Sequence, residues 1–151
     1  MSRASPRRRA RELVLQGLYQ HRLGGNDPAT IRGHFAESPH FAEADQGFLD
    51  TLWRGVHADR AALDAALQPH LDRRASELSP IEGAILLIAA WELLHQLETP
   101  YRVVLNEAVE LAKAYGGIDG HRFVNGVLDK LAAQARAPEI AAAGRERRAP
   151  R

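Results

Sequence analysis

No cysteine occurs among the 151 residues, so neither a disulfide nor a thiolate is available. A chain of this length needs no such staple: one domain, or two small halves sharing a core, buries roughly 70% of the surface that its unfolded form exposes. The absence also permits a reducing compartment. The longest apolar run, Ala84 to Trp91, is too short to span a bilayer. The N-terminus is polar and basic, without the hydrophobic segment of a secretory leader. A cytoplasmic protein with no membrane association is the expectation. Strand-like alternation is missing too, as are a fixed-period repeat and a heptad array.

Catalytic and metal-binding patterns are equally scarce. His21, His34, His40, His57, His70, His95 and His121 never pair with one another at i, i+4, and no His-Glu-x-x-His occurs. Structural or solvated histidines are the better reading. Gly24-Gly25 and Gly116-Gly117 follow helical patterns rather than strands, and lack the lysine and hydroxyl of a phosphate loop. Glu107 and Glu110, three apart on a helix, read as a solvated face. With no nucleophile, metal set or cofactor loop, the sequence predicts a binding protein that takes no cofactor and no metal, and not an enzyme. A hydrolase would need a deep polar pocket, against which a core of Leu, Ile and Trp argues.

What is present is arginine, in an unexpected place. Arg7, Arg8, Arg9 and Arg11 follow Ser5-Pro6, which reads as an N-cap and first helical residue. The helix dipole is positive at that end, so the guanidinium groups repel it and one another. The first carboxylate, Glu12, comes only after the cluster. Such a local cost points to an external anion, with nucleic-acid phosphates the leading candidate. Spacings of three and four predict an exposed ridge beside the apolar stripe. The overall net charge of +1 conceals a polarity: residues 1–22 carry a net of +5, residues 136–151 a net of +3, and the body between them −7. A Debye length of about 8 Å keeps these as separate patches.

The periodicity predicts an all-α protein of six or seven helices with short loops. The first helix runs from about Pro6 to Leu23, with Ala10, Leu13, Val14, Gly17, Leu18 and His21 on one face. Asp27-Pro28 opens a short helix with Ile31 and Phe35 inward. A long helical stretch carries Asp45, Phe48, Leu49, Leu52, Trp53 and Val56, resumes at Leu63, Leu67 and Leu71, and meets Pro69 near its end. Ser79-Pro80-Ile81-Glu82 reads as a capping box. The helix it opens is apolar on nearly every side and belongs at the centre of the bundle. Thr99-Pro100 precedes a helix with Val104, Ala108, Leu111, Ala112 and Tyr115 on one face. Gly116-Gly117 reads as its C-cap, and Asp119 as the cap of a last helix with Phe123, Val124, Val127, Leu128 and Leu131. Residues 1–135 form the expected domain, and residues 136–151 a basic, disordered tail.

Recognition chemistry remains. Single-stranded RNA is held by guanidinium–phosphate contacts and by stacking on aromatics or arginine planes. Tyr19 lies two turns beyond Arg11. Residues 115–123 offer aromatic, imidazole and basic side chains at a helix start, where free N–H groups also suit a phosphate. The bland alternatives are a half-buried core tyrosine and a plain turn with Phe123 in the core.

Two segments, Pro6–Gln20 and Pro100–Leu131, resemble the NusB family of bacterial transcription antitermination factors. Asn106-Glu107-Ala108, Glu110-Leu111-Ala112-Lys113 and Phe123-Val124-Asn125-Gly126-Val127-Leu128-Asp129 carry the resemblance, in order. It extends over about residues 6–134. It implies two packed helical subdomains and no catalysis. It implies pairing with NusE, a small-subunit ribosomal protein, and joint binding of the single-stranded boxA element of nascent RNA. The setting is the antitermination complex with NusA, NusG and RNA polymerase, chiefly on ribosomal RNA operons. Carried over residue by residue, Arg7, Arg8, Arg9, Arg11, Asp119 and Phe123 are implied at the RNA, and Tyr19, Glu82, His70 and Arg102 at NusE. His70 stands where a tyrosine is common, and Arg102 where a lysine is common. Monomers and homodimers are both compatible with the resemblance, and a dimer could hide the arginine surface. A related domain precedes the catalytic domain of some rRNA cytosine methyltransferases; the 151 residues leave no room for a methyl-donor fold, so that activity is not expected. A helical protein–protein scaffold without specific RNA binding is the alternative from another class.

Overall fold

Proline-punctuated caps begin three of the helices. Ser5 Oγ accepts from Arg8 N at 3.1 Å, Asp27 Oδ1 from Thr30 N at 3.0 Å, and Ser79 Oγ from Glu82 N at 3.1 Å, each with proline in the first helical position. The computed structural model describes residues 4–148; Arg3 and Arg151 lie outside the described residues. These form α1 (Pro6–Gly24), α2 (Pro28–His34), α3 (Gln46–Ala58), α4 (Arg60–Leu67), α5 (Pro80–His95), α6 (Tyr101–Tyr115), α7 (Gly120–Ala135) and α8 (Ala137–Arg148), with short 3₁₀ turns and no strand among the described residues. The all-α expectation holds, but the helices number eight rather than six or seven.

Two differences account for the count. The long stretch after Asp45 is broken at Asp59, whose backbone (φ −106°, ψ 16°) ends α3 and starts α4 in a new direction. The supposed tail is also helical. Arg136, only 3% exposed, donates to the carbonyls of Glu92, Leu93, Gln96 and Thr99 at 2.8–3.1 Å, so its guanidinium satisfies the open C-terminal end of α5. Glu139 holds Arg136 and accepts from Tyr101 N at 2.9 Å, thereby capping α6, whose preceding Pro100 offers no side-chain cap. The boundary expected at residue 135 therefore crosses a continuous structure.

α5 is the centre, packed against α1, α3, α4, α6 and α7. Its apolar side chains are buried on all sides, as the sequence predicts, and one contiguous cluster joins them to α1, α3, α4, α6 and α7. Helices approach closely where glycine permits. A Cβ on Gly55 would lie 2.2 Å from Trp91 Nε1, and one on Gly17 2.8 Å from both Phe35 and Trp53. Gly25 (φ 71°) ends α1 in the left-handed conformation and donates to His21 O. Gly116, by contrast, is extended, and its missing Cβ makes room for Ala112 O.

Candidate nucleic-acid interface

The arginines of α1 are not left to repel one another. Carboxylates, most of them from other parts of the fold, meet Arg7, Arg8, Arg9 and Arg11. Arg8 donates Nε–H and Nη2–H to Glu107 of α6 at 2.8 and 3.1 Å. That hydrogen bond, with the nearby negative charge, binds the guanidinium proton more firmly than usual. Arg9 pairs with Glu12 at 3.0 Å and Glu43 at 3.4 Å. Arg7 lies 3.9 Å from Asp45, sits 4.5 Å over the Phe48 ring, and reaches Thr99 Oγ1 at 3.4 Å. The electrostatic cost expected from local sequence is thus offset by tertiary contacts.

Arg11 corrects the expectation of a four-arginine ridge. Its side chain is 3% exposed and makes a fork to Glu92 of α5 at 2.7 and 2.8 Å. It stands on the apolar stripe, three and four residues before Val14 and Leu15, so it enters the core and takes a carboxylate with it. Arg7, Arg8 and Arg9, at 43%, 37% and 25% side-chain exposure, are the cluster members that a phosphate can reach.

A continuous chain of contacts leads from these arginines toward Phe123. Glu12 accepts from Arg9 and, at 2.6 Å, from the phenol of Tyr115 at the end of α6. Burial and the Glu12 carboxylate push the Tyr115 phenol up to about 12. The loop from Gly116 to Asp119 follows, with Ile118 fully exposed. Asp119 occupies the left-handed region at φ 65°, tolerable for aspartate. It caps no N–H of α7, contrary to expectation, and its carboxylate stays exposed 3.7 Å from Arg122. Phe123 is half-buried against the core, with the Arg73 guanidinium 5.4 Å over its ring.

The four residues expected at a protein partner lie on four different elements. Glu82 lies at the start of α5, where its carboxylate takes the Ser79 hydroxyl and closes on buried Gly120, placing it beside the Asp119–Phe123 corner. Tyr19 is 40% exposed on α1. His70 meets Gln134 at 3.1 Å, near the far end of α7. Arg102 stacks on Tyr101 and lines a separate recess with Asn106, Asn125 and Asp129. Sequence reasoning missed Glu12, Arg73, Glu92 and the role of Glu107. Glu92 had a signal, a lone carboxylate in an otherwise apolar helix; Arg73 had none.

Among the described residues no cluster of three or more His, Asp or Glu is placed to hold a metal ion, and no helix is long and apolar enough to cross a membrane. A filled core around α5, crossed by the buried Arg11–Glu92 pair and with Arg7, Arg8 and Arg9 partly exposed at the start of α1, defines an all-α helical bundle. The chain belongs to the NusB family, whose model matches residues 8–133. That family is non-enzymatic. The chain is 56% identical over 144 residues to the transcription antitermination protein NusB of Azoarcus sp., covering 95% of this chain and 93% of that one. It is 54% identical over 138 residues to the NusB of Ralstonia nicotianae, covering 91% and 89%. Among solved structures it is similar to T. maritima NusB, with a TM-score of 0.74, 29% identity, and coverage of 86% of this chain and 92% of that one. It also shares its fold with a chain in the crystal structure of antitermination factors NusB and NusE in complex with dsRNA (TM-score 0.72, 21% identity, coverage 84% and 96%).

Proposed function

We propose that this chain is a transcription antitermination factor that binds the boxA element of nascent RNA together with NusE, in the cytoplasm. It works within the complex that NusA and NusG form with RNA polymerase, chiefly on ribosomal RNA operons. One observation carries the reading beyond family membership: Arg7, Arg8 and Arg9 are partly exposed around one turn of α1, and Arg9 is linked, through Glu12 and Tyr115, to the loop leading to Phe123. Guanidinium groups and an aromatic ring on one connected surface are the chemistry that single-stranded RNA requires. Phosphate contacts there supply affinity and register, while base choice falls to the Phe123 corner. The body, at −7, attracts the basic NusE. Gel shift with a short boxA-like RNA and a scrambled one, with and without NusE and at two salt concentrations, tests the reading. Preference for boxA, strengthened by NusE, is expected. Equal binding of both RNAs, unaffected by NusE, would return the chain to a helical scaffold.

A further inference from the structure

We infer that Glu107 sets the RNA affinity of the arginine face by competing with phosphate for Arg8, an inference that rests on the RNA-binding reading above. Both oxygens of Glu107 are engaged by Arg8 through a parallel pair of hydrogen bonds, at 2.8 and 3.1 Å. That fork is the geometry a guanidinium offers to carboxylate and phosphate alike. A phosphate using the same two donors must first replace Glu107.

Glu107 is also poorly placed to withdraw. Its Oε2 lies 4.0 Å from Arg11 Nη1, and Arg11 is fixed in the core by Glu92. Its side chain is 16% exposed, so water reaches it poorly when Arg8 leaves. The neighbouring pairs differ. Asp45 touches Arg7 through one long contact of 3.9 Å, Glu43 beside Arg9 is 61% exposed, and Glu12, as buried as Glu107, meets Arg9 through one hydrogen bond at 3.0 Å rather than a fork. RNA binding at Arg8 is therefore an exchange of one anion for another, and Glu107 fixes its cost.

The test is RNA affinity of the full chain, measured on boxA-like and scrambled RNA. Glu107→Gln is expected to bind boxA-like RNA about fivefold more tightly, the scale of one partly exposed ion pair. In an Arg8→Ala background the same change is expected to do nothing. Glu110→Gln removes an equal charge from the same helix, where Glu110 pairs with Lys113 at 3.8 Å, and is expected to have a smaller effect. Should Glu107→Gln fail to fold, Glu107→Asp, one methylene short of the fork, is expected to tighten binding in the same direction. Equal gains from Glu110→Gln, or a gain that survives Arg8→Ala, would reduce Glu107 to general repulsion and overturn the proposal. So would a Glu107 variant that binds no more tightly than wild type. A wild-type chain that binds neither RNA overturns the RNA-binding reading itself.

Discussion

Arg11 and Glu92 are 81 residues apart in sequence and make the most deeply buried ion pair of the described residues. Such pairs are weak evidence for net stability, yet breaking one leaves an uncompensated charge in the core. Arg11→Ala or Glu92→Gln is expected to destabilise the fold by about 3–5 kcal/mol, seen as a lower urea midpoint. Arg7→Ala, on the exposed side, is expected to stay within about 0.5 kcal/mol. Neighbours in sequence thus have different tasks, and the distinction was legible. Arg11 stands at apolar positions relative to Val14, Leu15 and Leu18, while Glu92 interrupts an apolar helix; each misplaced charge predicts the other. His57 gives a second test. Burial, followed by the charges of His21 and Arg60, lowers its imidazole to about 4 from an ordinary 6.5. The unfolded chain therefore takes up the proton first. Stability is unaffected above pH 6.5 and falls as pH drops from there toward 4. His57→Gln is expected to flatten that acid-side loss in urea midpoints taken at pH 7.5 and 5.

The elements show where reading a sequence by periodicity stops. Helix starts were legible because Ser5, Asp27 and Ser79 sit before prolines and cap as their chemistry dictates. The central place of α5 was legible from its all-round apolar surface. The helical state of α8 was not, since its Ala, Gly and Arg composition carries no stripe, although among the described residues Ile140 packs against the core. Arg136 and Glu139 anchor its start, through backbone groups that leave no trace in sequence. Arg136→Ala is expected to cost about 2–3 kcal/mol, from lost charge-assisted bonds and the exposed end of α5. Removal of residues 141–151 should leave the unfolding midpoint nearly unchanged. A large loss from that truncation would mean that α8 contributes through more than its anchor.

At the scale of the whole molecule, charge is arranged so that folding and binding compete for the same groups. The acidic body supplies Glu107, Glu43 and Asp45, and α1 itself supplies Glu12, to the arginines at the start of α1, making the cluster compatible with a stable fold. Those contacts join residues up to 99 apart, beyond what the local dipole argument can see. Under the proposed RNA-binding function the same partly exposed arginines are expected to supply affinity, because each phosphate neutralised releases counterions. Every such contact contributes about −0.7 to the slope of log K against log salt for a single strand. Replacing Arg7 and Arg8 together by Ala is expected to flatten the slope by about 1.4, with little change in the unfolding midpoint, since both side chains are more than a third exposed. Phe123, half-buried beneath Arg73, acts on a different axis. Its loss should weaken binding at every salt concentration without altering the slope, because a ring releases no counterions. Titrations at four salt concentrations separate the two contributions, and an unchanged slope in the double arginine variant would remove the phosphates from α1.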